Sequence, residues 1–249
     1  MSRLQDKVAV ITGGNSGIGF ASAQSFINAG ARVAIFGRDQ ASLDASVAAL
    51  GENAIAIKGD VTSDEDLDNL YATTRQHFGK VDVVFANAGI AEFMSLEEAT
   101  NDHLDKLFDI NVKGLFKTVR HSLGVINDNA SIILTTSITN EKGMPGMSAY
   151  SASKAAVRSF ARSFSSELVS RGIRVNALSP GPVATPIYSR AGLSEEQIEG
   201  LGKEMASQIP LQRFGEVDEM ADAAVFLASS ESSYIVGNEL VVDGGMTQL

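Results

Sequence analysis

The sequence predicts an α/β fold: one domain over residues 1–249, built on a doubly wound, parallel, seven-stranded sheet of the Rossmann type. Three observations predict it. Short β-branched runs alternate with longer amphipathic stretches along the chain. Those runs are hydrophobic nearly throughout, without in/out alternation, as befits strands covered on both faces. The segments between them, about 10–20 residues, are long enough for crossover helices. With 44% hydrophobic residues the chain can bury a sizeable core, and no repeat, low-complexity tract or long Pro/Gly/Ser linker divides it.

In order, strands are expected at residues 8–12, 31–36, 54–58, 81–85, 131–136, 173–178 and 240–242. Helical periodicity runs over 20–28 and again from Tyr150 to about Ser170. One stretch breaks the rhythm. Between Pro182 and Pro210 there is no strand, and Gly192, Gly200 and Gly202 stand among apolar and acidic residues; residues 182–210 are expected to form a substrate-binding lid.

Composition removes several classes of function. Twenty Lys+Arg against 30 Asp+Glu give a net charge of −10, which argues against a nucleic-acid partner. The absence of Cys excludes disulfides, thiolate zinc sites, iron–sulfur clusters and a cysteine nucleophile, and fits a reducing compartment. His77, His103 and His121 share no metal-ligand spacing, and each falls in a segment that reads as a surface helix, so no metal is expected. Without an apolar leader or a membrane-length run, the expectation is a cytoplasmic protein with no membrane partner.

The first strand runs into Thr12, Gly13, Gly14, Asn15, Ser16, Gly17, Ile18 and Gly19, followed by a helix. Glycines allow a tight turn and close backbone approach, while the helix N-terminus offers N–H groups and a positive dipole end to a pyrophosphate. A nucleotide is expected there, although the spacing departs from the common G-x-G-x-x-G form. After the second strand comes Phe36-Gly37-Arg38-Asp39, with no carboxylate at the strand's last position. Arg38 is a planar donor suited to a 2′-phosphate, which favours NADP(H) and leaves NAD(H) possible. Asp39 either takes the ribose or caps the following helix, and capping is preferred.

Tyr150 and Lys154 stand four apart, on one face of the expected helix. An ammonium beside a phenol lowers its ordinary value near 10 by roughly one to three pH units, making Tyr150 a usable acid/base. The spacing alone is weak evidence. It gains from Ser137, at the carboxyl end of the fifth strand, where ligands of doubly wound folds bind; Ser137 could bond a substrate oxygen or simply be a turn serine.

Taken together, these positions resemble the short-chain dehydrogenase/reductase family, in its single-domain branch of roughly 250 residues. The matching features are the T-G-x-x-x-G-I-G turn of Thr12–Gly19, Asp60-Val61, Asn87-Ala88-Gly89, Asn111-Val112-Lys113-Gly114, Ser137, Tyr150 with Lys154, and Pro180-Gly181. One departure is Ala86, where the family usually has an additional asparagine. The resemblance implies a catalytic tetrad of Asn111, Ser137, Tyr150 and Lys154. In it Tyr150 transfers the proton, Ser137 polarises the substrate oxygen, Lys154 lowers the phenol and holds the nicotinamide ribose, and Asn111 positions a water relay. It also implies Asp60 and Val61 beside adenine, Asn87, Ala88 and Gly89 against the adenosine ribose, and Pro180, Gly181, Val183 and Thr185 along the nicotinamide.

The implied reaction is hydride transfer to or from a small ketone or secondary alcohol. Phe93, Met144, Met147, Ile187 and Tyr188, as pocket residues, favour a moderately apolar substrate over a sugar or polyol. A 3-oxoacyl thioester on an acidic carrier is disfavoured by the acidic Asn127-Asp128-Asn129 loop. A nucleotide sensor without catalysis is the alternative from another class, and it need not keep the tetrad. A sugar-nucleotide epimerase would resemble a longer chain with a further substrate domain. The edge strand near residues 240–242 and the long Tyr150 helix, by the same resemblance, imply a homotetramer.

Overall fold

The computed structural model describes residues 2–185 and 205–249. Its strands are β1 (Val8–Thr12), β2 (Arg32–Gly37), β3 (Ala54–Lys58), β4 (Val81–Ala86), β5 (Ile126–Thr135), β6 (Arg174–Pro180) and β7 (Glu239–Val242). All pair in parallel in the order β3-β2-β1-β4-β5-β6-β7. The described helices are α1 (Gly17–Asn28), α2 (Gln40–Leu50), α3 (Asp64–Phe78), α4 (Asn101–Phe108), α5 (Leu115–Ser122), α6 (Ser148–Leu168) and α7 (Val217–Ala228). Among the described residues no helix is long and apolar enough to cross a membrane.

The continuous hydrophobic runs serve two cores. Along β1, Val8 and Val10 face the layer holding α3, α5 and α6, with Leu70, Val119 and Val157, whereas Ala9 and Ile11 face α1 and α7, with Phe26 and Ala224. The pleat sends successive side chains to opposite faces, so a strand covered on both must be apolar at every position. Phe26 and Phe85 are fully buried, and truncating either to Ala would cost about 3–5 kcal/mol. Caps fix the helix starts: Asp39 accepts from Ser42 N, Ser63 from Asp66 N and Thr100 from His103 N, while Glu216 and Glu219 form a reciprocal capping box.

Two expectations need correction. The fifth strand begins earlier, at Ile126, because Val81 pairs with Ile126 and then Val83 with Ser131. The polar residues Asn127–Asn129 form a bulged excursion within it, with Asn129 at φ 61. This places Asp128 at the amino end of β5, ion-paired to Arg171 at 2.9 Å, away from the strand end that leads to Ser137. It therefore does not guard the mouth of the site. His103, expected on a surface, is buried, because α4 turns the His103–Leu107 face inward.

The strand order reverses between β1 and β4. Their carboxyl ends open a crevice, and the turns after β1, β4 and β5 converge on it.

Candidate active site

The turn after β1 is built by close approach. Gly13 has φ +66, and a Cβ there would lie 3.1 Å from Ala88 Cα; a Cβ on Gly19 would lie 2.2 Å from Gly13 O. The first turn of α1 has no acidic residue, and the Ser16 side chain does not cap it. Thr12 ties this turn to the next. Its Oγ1 accepts from Asn87 N and Ala88 N, both at 3.1 Å, and Asn87 Nδ2 donates back to Thr12 O at 3.1 Å. Asn87 Oδ1 in turn accepts from the Thr135 hydroxyl at 3.3 Å. A tight glycine cradle at a helix N-terminus fits a dinucleotide pyrophosphate, so the residues present suit such a cofactor.

At the corner after β2, Arg38 is mostly exposed and stands 3.9 Å from Asp60 Oδ2. Asn15 Nδ2 donates to Ser42 Oγ at 2.5 Å, and a Cβ on Gly37 would meet Asn15 Oδ1 at 2.7 Å. Asp39 caps α2: its Oδ1 accepts from Ser42 N at 2.7 Å, and these bonds hold its carboxyl below the ordinary value. Asp60 Oδ1 accepts from Thr62 N and Oγ1, shaping the entry to α3. Val61 is buried; a Cβ on Gly114 would lie 2.7 Å from its Cγ2.

Ser137, Tyr150, Lys154 and Asn111 are all buried and come together. Ser137 Oγ caps the short helix Ile138–Asn140 and accepts from Thr139 N and Thr139 Oγ1, which leaves its own proton for another acceptor. Lys154 Nζ donates to Thr135 O at 2.9 Å and lies 5.7 Å from the Tyr150 ring centroid. A Cβ on Gly89 would meet Asn111 Oδ1 at 3.1 Å and Lys154 Nζ at 3.4 Å, so glycine lets the loop after β4 pass between them. Asn111 lies in a π-helical segment, Asp109–Gly114, linking α4 to α5; such widened turns re-aim side chains and recur at functional sites.

The electrostatics correct one expectation. Burial pushes the Tyr150 phenol up to about 12, against which the nearby Ser137 hydroxyl is the smaller effect. Lys154 is itself pulled down to about 8 by burial, with Thr135 O as its partner. Desolvation outweighs the charge effect expected from the four-residue spacing.

Around Tyr150 the wall is apolar: Ile90, Ala91, Leu107, Met144, Met147 and Ala149 pack with it, and Phe93 is partly exposed nearby in sequence. Ile187 and Tyr188 lie outside the described residues, as do residues 186–204 of the segment expected to form a lid. Residues on either side of them are described. Gly181 N donates to Val242 O, while Gly215 N donates to Pro182 O at 2.9 Å and Ala184 N to Gly215 O at 3.0 Å, with Val183 bridged to Gly215; Thr185 is the last described residue before the gap. Pro180 ends β6. Sequence reasoning missed Ile90, Ser153 and Thr135, which act here through backbone or neighbour contacts and carry no pattern of their own. His103 has both ring nitrogens buried without a hydrogen-bond partner. Its spacing of four from Leu107 was the signal that could have found its buried face.

This geometry can be set beside known proteins. A family model described as enoyl-(acyl carrier protein) reductase matches residues 13–247. The oxidoreductase asL5 of Sarocladium schorii is 45% identical over 100% of this chain and 99% of its own. An uncharacterized oxidoreductase of Methylorubrum extorquens is 34% identical over 99% of this chain and its own full length. Among solved structures, a short-chain dehydrogenase/reductase of Brucella melitensis, described as a glucose/ribitol dehydrogenase, superposes with a TM-score of 0.93 at 30% identity, covering 99% of both chains. A variant short-chain dehydrogenase/reductase of Serratia marcescens gives 0.90 at 29%, over 98% of this chain and 99% of that one. Likeness of this order from one end to the other leaves a single assignment: the chain belongs to the short-chain dehydrogenase/reductase family of oxidoreductases, whose chemistry runs on a nicotinamide cofactor.

Proposed function

We propose that the protein is an NADP(H)-preferring oxidoreductase acting on a small, moderately apolar ketone or secondary alcohol. The observation that carries this reading is the convergence of Asn111, Ser137, Tyr150 and Lys154, all buried, beneath the Ile90, Ala91, Met144 and Met147 wall. A nicotinamide held by these turns would supply or accept the hydride. Tyr150, whose burial keeps the phenol protonated near neutrality, hands its proton to the carbonyl oxygen in reduction and retrieves it in oxidation. Ser137 donates to that same oxygen and orients it. Lys154 holds positive charge beside the Tyr150 ring and offers donors to a ribose diol. Asn111 keeps the loop after β4 in place beside Lys154.

Cofactor placement follows the turns: Thr12 to Gly19 at the pyrophosphate, Arg38 at a 2′-phosphate, Asp60 and Val61 at adenine, Asn87 to Gly89 at the ribose, and Pro180, Gly181, Val183 and Thr185 at the nicotinamide. The capping duty of Asp39 supports the NADP(H) preference, since that carboxylate is already engaged. In this reading residues 182–210, of which 186–204 lie outside the described residues, supply the substrate-binding segment, which the contacts of Pro182 and Ala184 with Gly215 support. A homotetramer fits the half-exposed edge strand β7 and the ring cluster of Phe116, Phe160 and Phe164 on α5 and α6.

A second reading is a reductase of 3-oxoacyl thioesters: it shares an acyl-carrier substrate, though not the reduced bond, with the description of the matching family model, and the remote position of Asp128 removes the charge argument against it. The test is loss of reduced-nicotinamide absorbance with NADPH, and separately NADH, across ketones, diketones, sugars and a 3-oxoacyl thioester. Turnover of a small apolar ketone with NADPH, abolished in Tyr150→Phe, is the expected result. Turnover of the thioester alone would favour the second reading, and tight NADPH binding with no turnover of any substrate would favour a sensor.

A further inference from the structure

Glu239 opens the edge strand β7, yet its side chain is 95% buried, with only 5% exposed. Three elements meet on its carboxylate. Oε1 accepts from the Thr136 hydroxyl at 2.5 Å and from Asn140 Nδ2 at 2.8 Å. Oε2 lies 3.2 Å from Nε of Arg158. Thr136 precedes Ser137, and Asn140 closes the short helix that Ser137 caps, so Oε1 grips the Ser137 turn from both sides. Arg158 lies on α6, one helical turn beyond Lys154 and two beyond Tyr150, on the same face. Its Nη1 also donates to Gly237 O at 3.0 Å, which fixes the guanidinium against the approach to β7.

One buried carboxylate thus joins the segment that presents Ser137 to the helix that presents Tyr150 and Lys154. A charge so placed is costly unless paired and hydrogen-bonded, and a well-packed apolar group of similar size is often as stable. What an apolar group cannot do is hold three polar partners at set distances. The edge position sharpens this: β7 is paired on one side only, through β6, so the inward carboxylate is what links its first residue to the loop above β5.

We propose that Glu239 is a positioning residue for the reaction: through Thr136, Asn140 and Arg158 it locks the Ser137 turn to α6, so that Ser137 and Tyr150 keep their relative placement as the substrate oxygen is bound. It touches neither substrate nor cofactor. The inference rests on the roles given above to Ser137 and Tyr150.

The experiment compares the full-length enzyme with Glu239→Ala and Glu239→Gln, each in wild-type and Ser137→Ala backgrounds, using NADPH and whichever ketone of the panel the wild type reduces. Misplacement of a reacting group by about an ångström costs up to about a hundredfold, so Glu239→Ala should lower kcat by about ten- to hundredfold with KM for NADPH unchanged. Glu239→Gln, which keeps a carbonyl oxygen for Thr136 and Asn140, should recover most of that loss. In the Ser137→Ala background the effect of Glu239→Ala should vanish, because the group it positions is gone. If Glu239→Ala fails to fold, Thr136→Val takes its place: it removes one strut, leaves Arg158 paired, and should show a smaller loss that also vanishes without Ser137. An equal loss in both backgrounds, or a lowered Tm with kcat intact, overturns the proposal. A Tyr150→Phe control separates the two levels. If Tyr150→Phe is inactive while Glu239→Ala keeps full kcat, only the role of Glu239 fails; if Tyr150→Phe remains active, the reading of the site fails first.

Discussion

Asn111 and Ile90 exchange two hydrogen bonds: Ile90 N donates to Asn111 Oδ1 and Asn111 Nδ2 donates to Ile90 O, each at 2.9 Å. The second proton of Nδ2 goes to Ser153 Oγ at 3.1 Å, and Ser153 itself donates to Tyr150 O at 2.7 Å. Both donors of the amide are therefore engaged in tying the loop after β4 and the start of α6 to the π-helical segment.

Asn111→Ala should expose this. Leaving the Ile90 N–H and C=O without their partner costs about 1–3 kcal/mol, read as a lower midpoint of denaturant unfolding. kcat should fall as well, because Gly89 and Lys154 lose their common neighbour. A variant of unchanged stability would mean that the amide is not a structural tie.

Arg38→Ala should weaken NADPH far more than NADH, measured as dissociation constants by fluorescence titration. Removing a charge-assisted phosphate contact costs about 1.5–3 kcal/mol, or about ten- to 150-fold for NADPH alone. Equal losses for both cofactors would show that Arg38 does not meet a 2′-phosphate.

Gly19→Ala provides the contrast. The new Cβ would sit 2.2 Å from Gly13 O, a backbone atom that cannot swing aside as a side chain would. The cofactor turn must open, and overpacking of this kind costs about 1–3 kcal/mol. NADPH and NADH should weaken by the same factor, in the same titration.

The pH dependence follows from burial. With Tyr150 pushed up to about 12 and Lys154 pulled down to about 8, the phenol is protonated and the ammonium charged at neutral pH. In pH–rate profiles kcat/KM for reduction should be level up to about pH 8 and fall above it as Lys154 loses its proton, whereas oxidation should rise with pH because Tyr150 must accept one. The stability sign is opposite to that of a salt-bridged lysine. Between about 8 and the ordinary 10.5 the unfolded chain binds more protons, so stability rises with pH through that window and the penalty is full below it. Lys154→Met should abolish turnover yet raise Tm by about 2–4 °C near neutral pH. A lower Tm would mean that the Thr135 hydrogen bond outweighs desolvation.

Much of this was legible beforehand because the physics is local. Strands 8–12 and 54–58 announce themselves by apolar, β-branched runs, and Asp39 announces a helix start by standing just before Gln40 with Ser42 within reach. The polar start of β5 was not legible: Asn127-Asp128-Asn129 reads as a loop, and only the pairing of Val81 with Ile126 carries the strand past it. For His103 the one signal was its spacing from Leu107, because burial depends on which face of α4 meets the rest of the molecule.

By itself the sequence predicted the seven strands in order, the doubly wound class and the glycine turn after β1; Tyr150 and Lys154 stood out by residue type and spacing, Ser137 by its place at a strand end, and Asn111 only through the family resemblance. Tertiary structure alone decided their charges and their supports. The protonation of Tyr150 and Lys154 is set by water excluded from a site assembled from β5, α6 and the loop after β4, and the weight of Glu239 comes from partners near residues 136–140 and 158. Desolvation and long-range pairing depend on what surrounds a residue in space, and spacing along the chain does not record that.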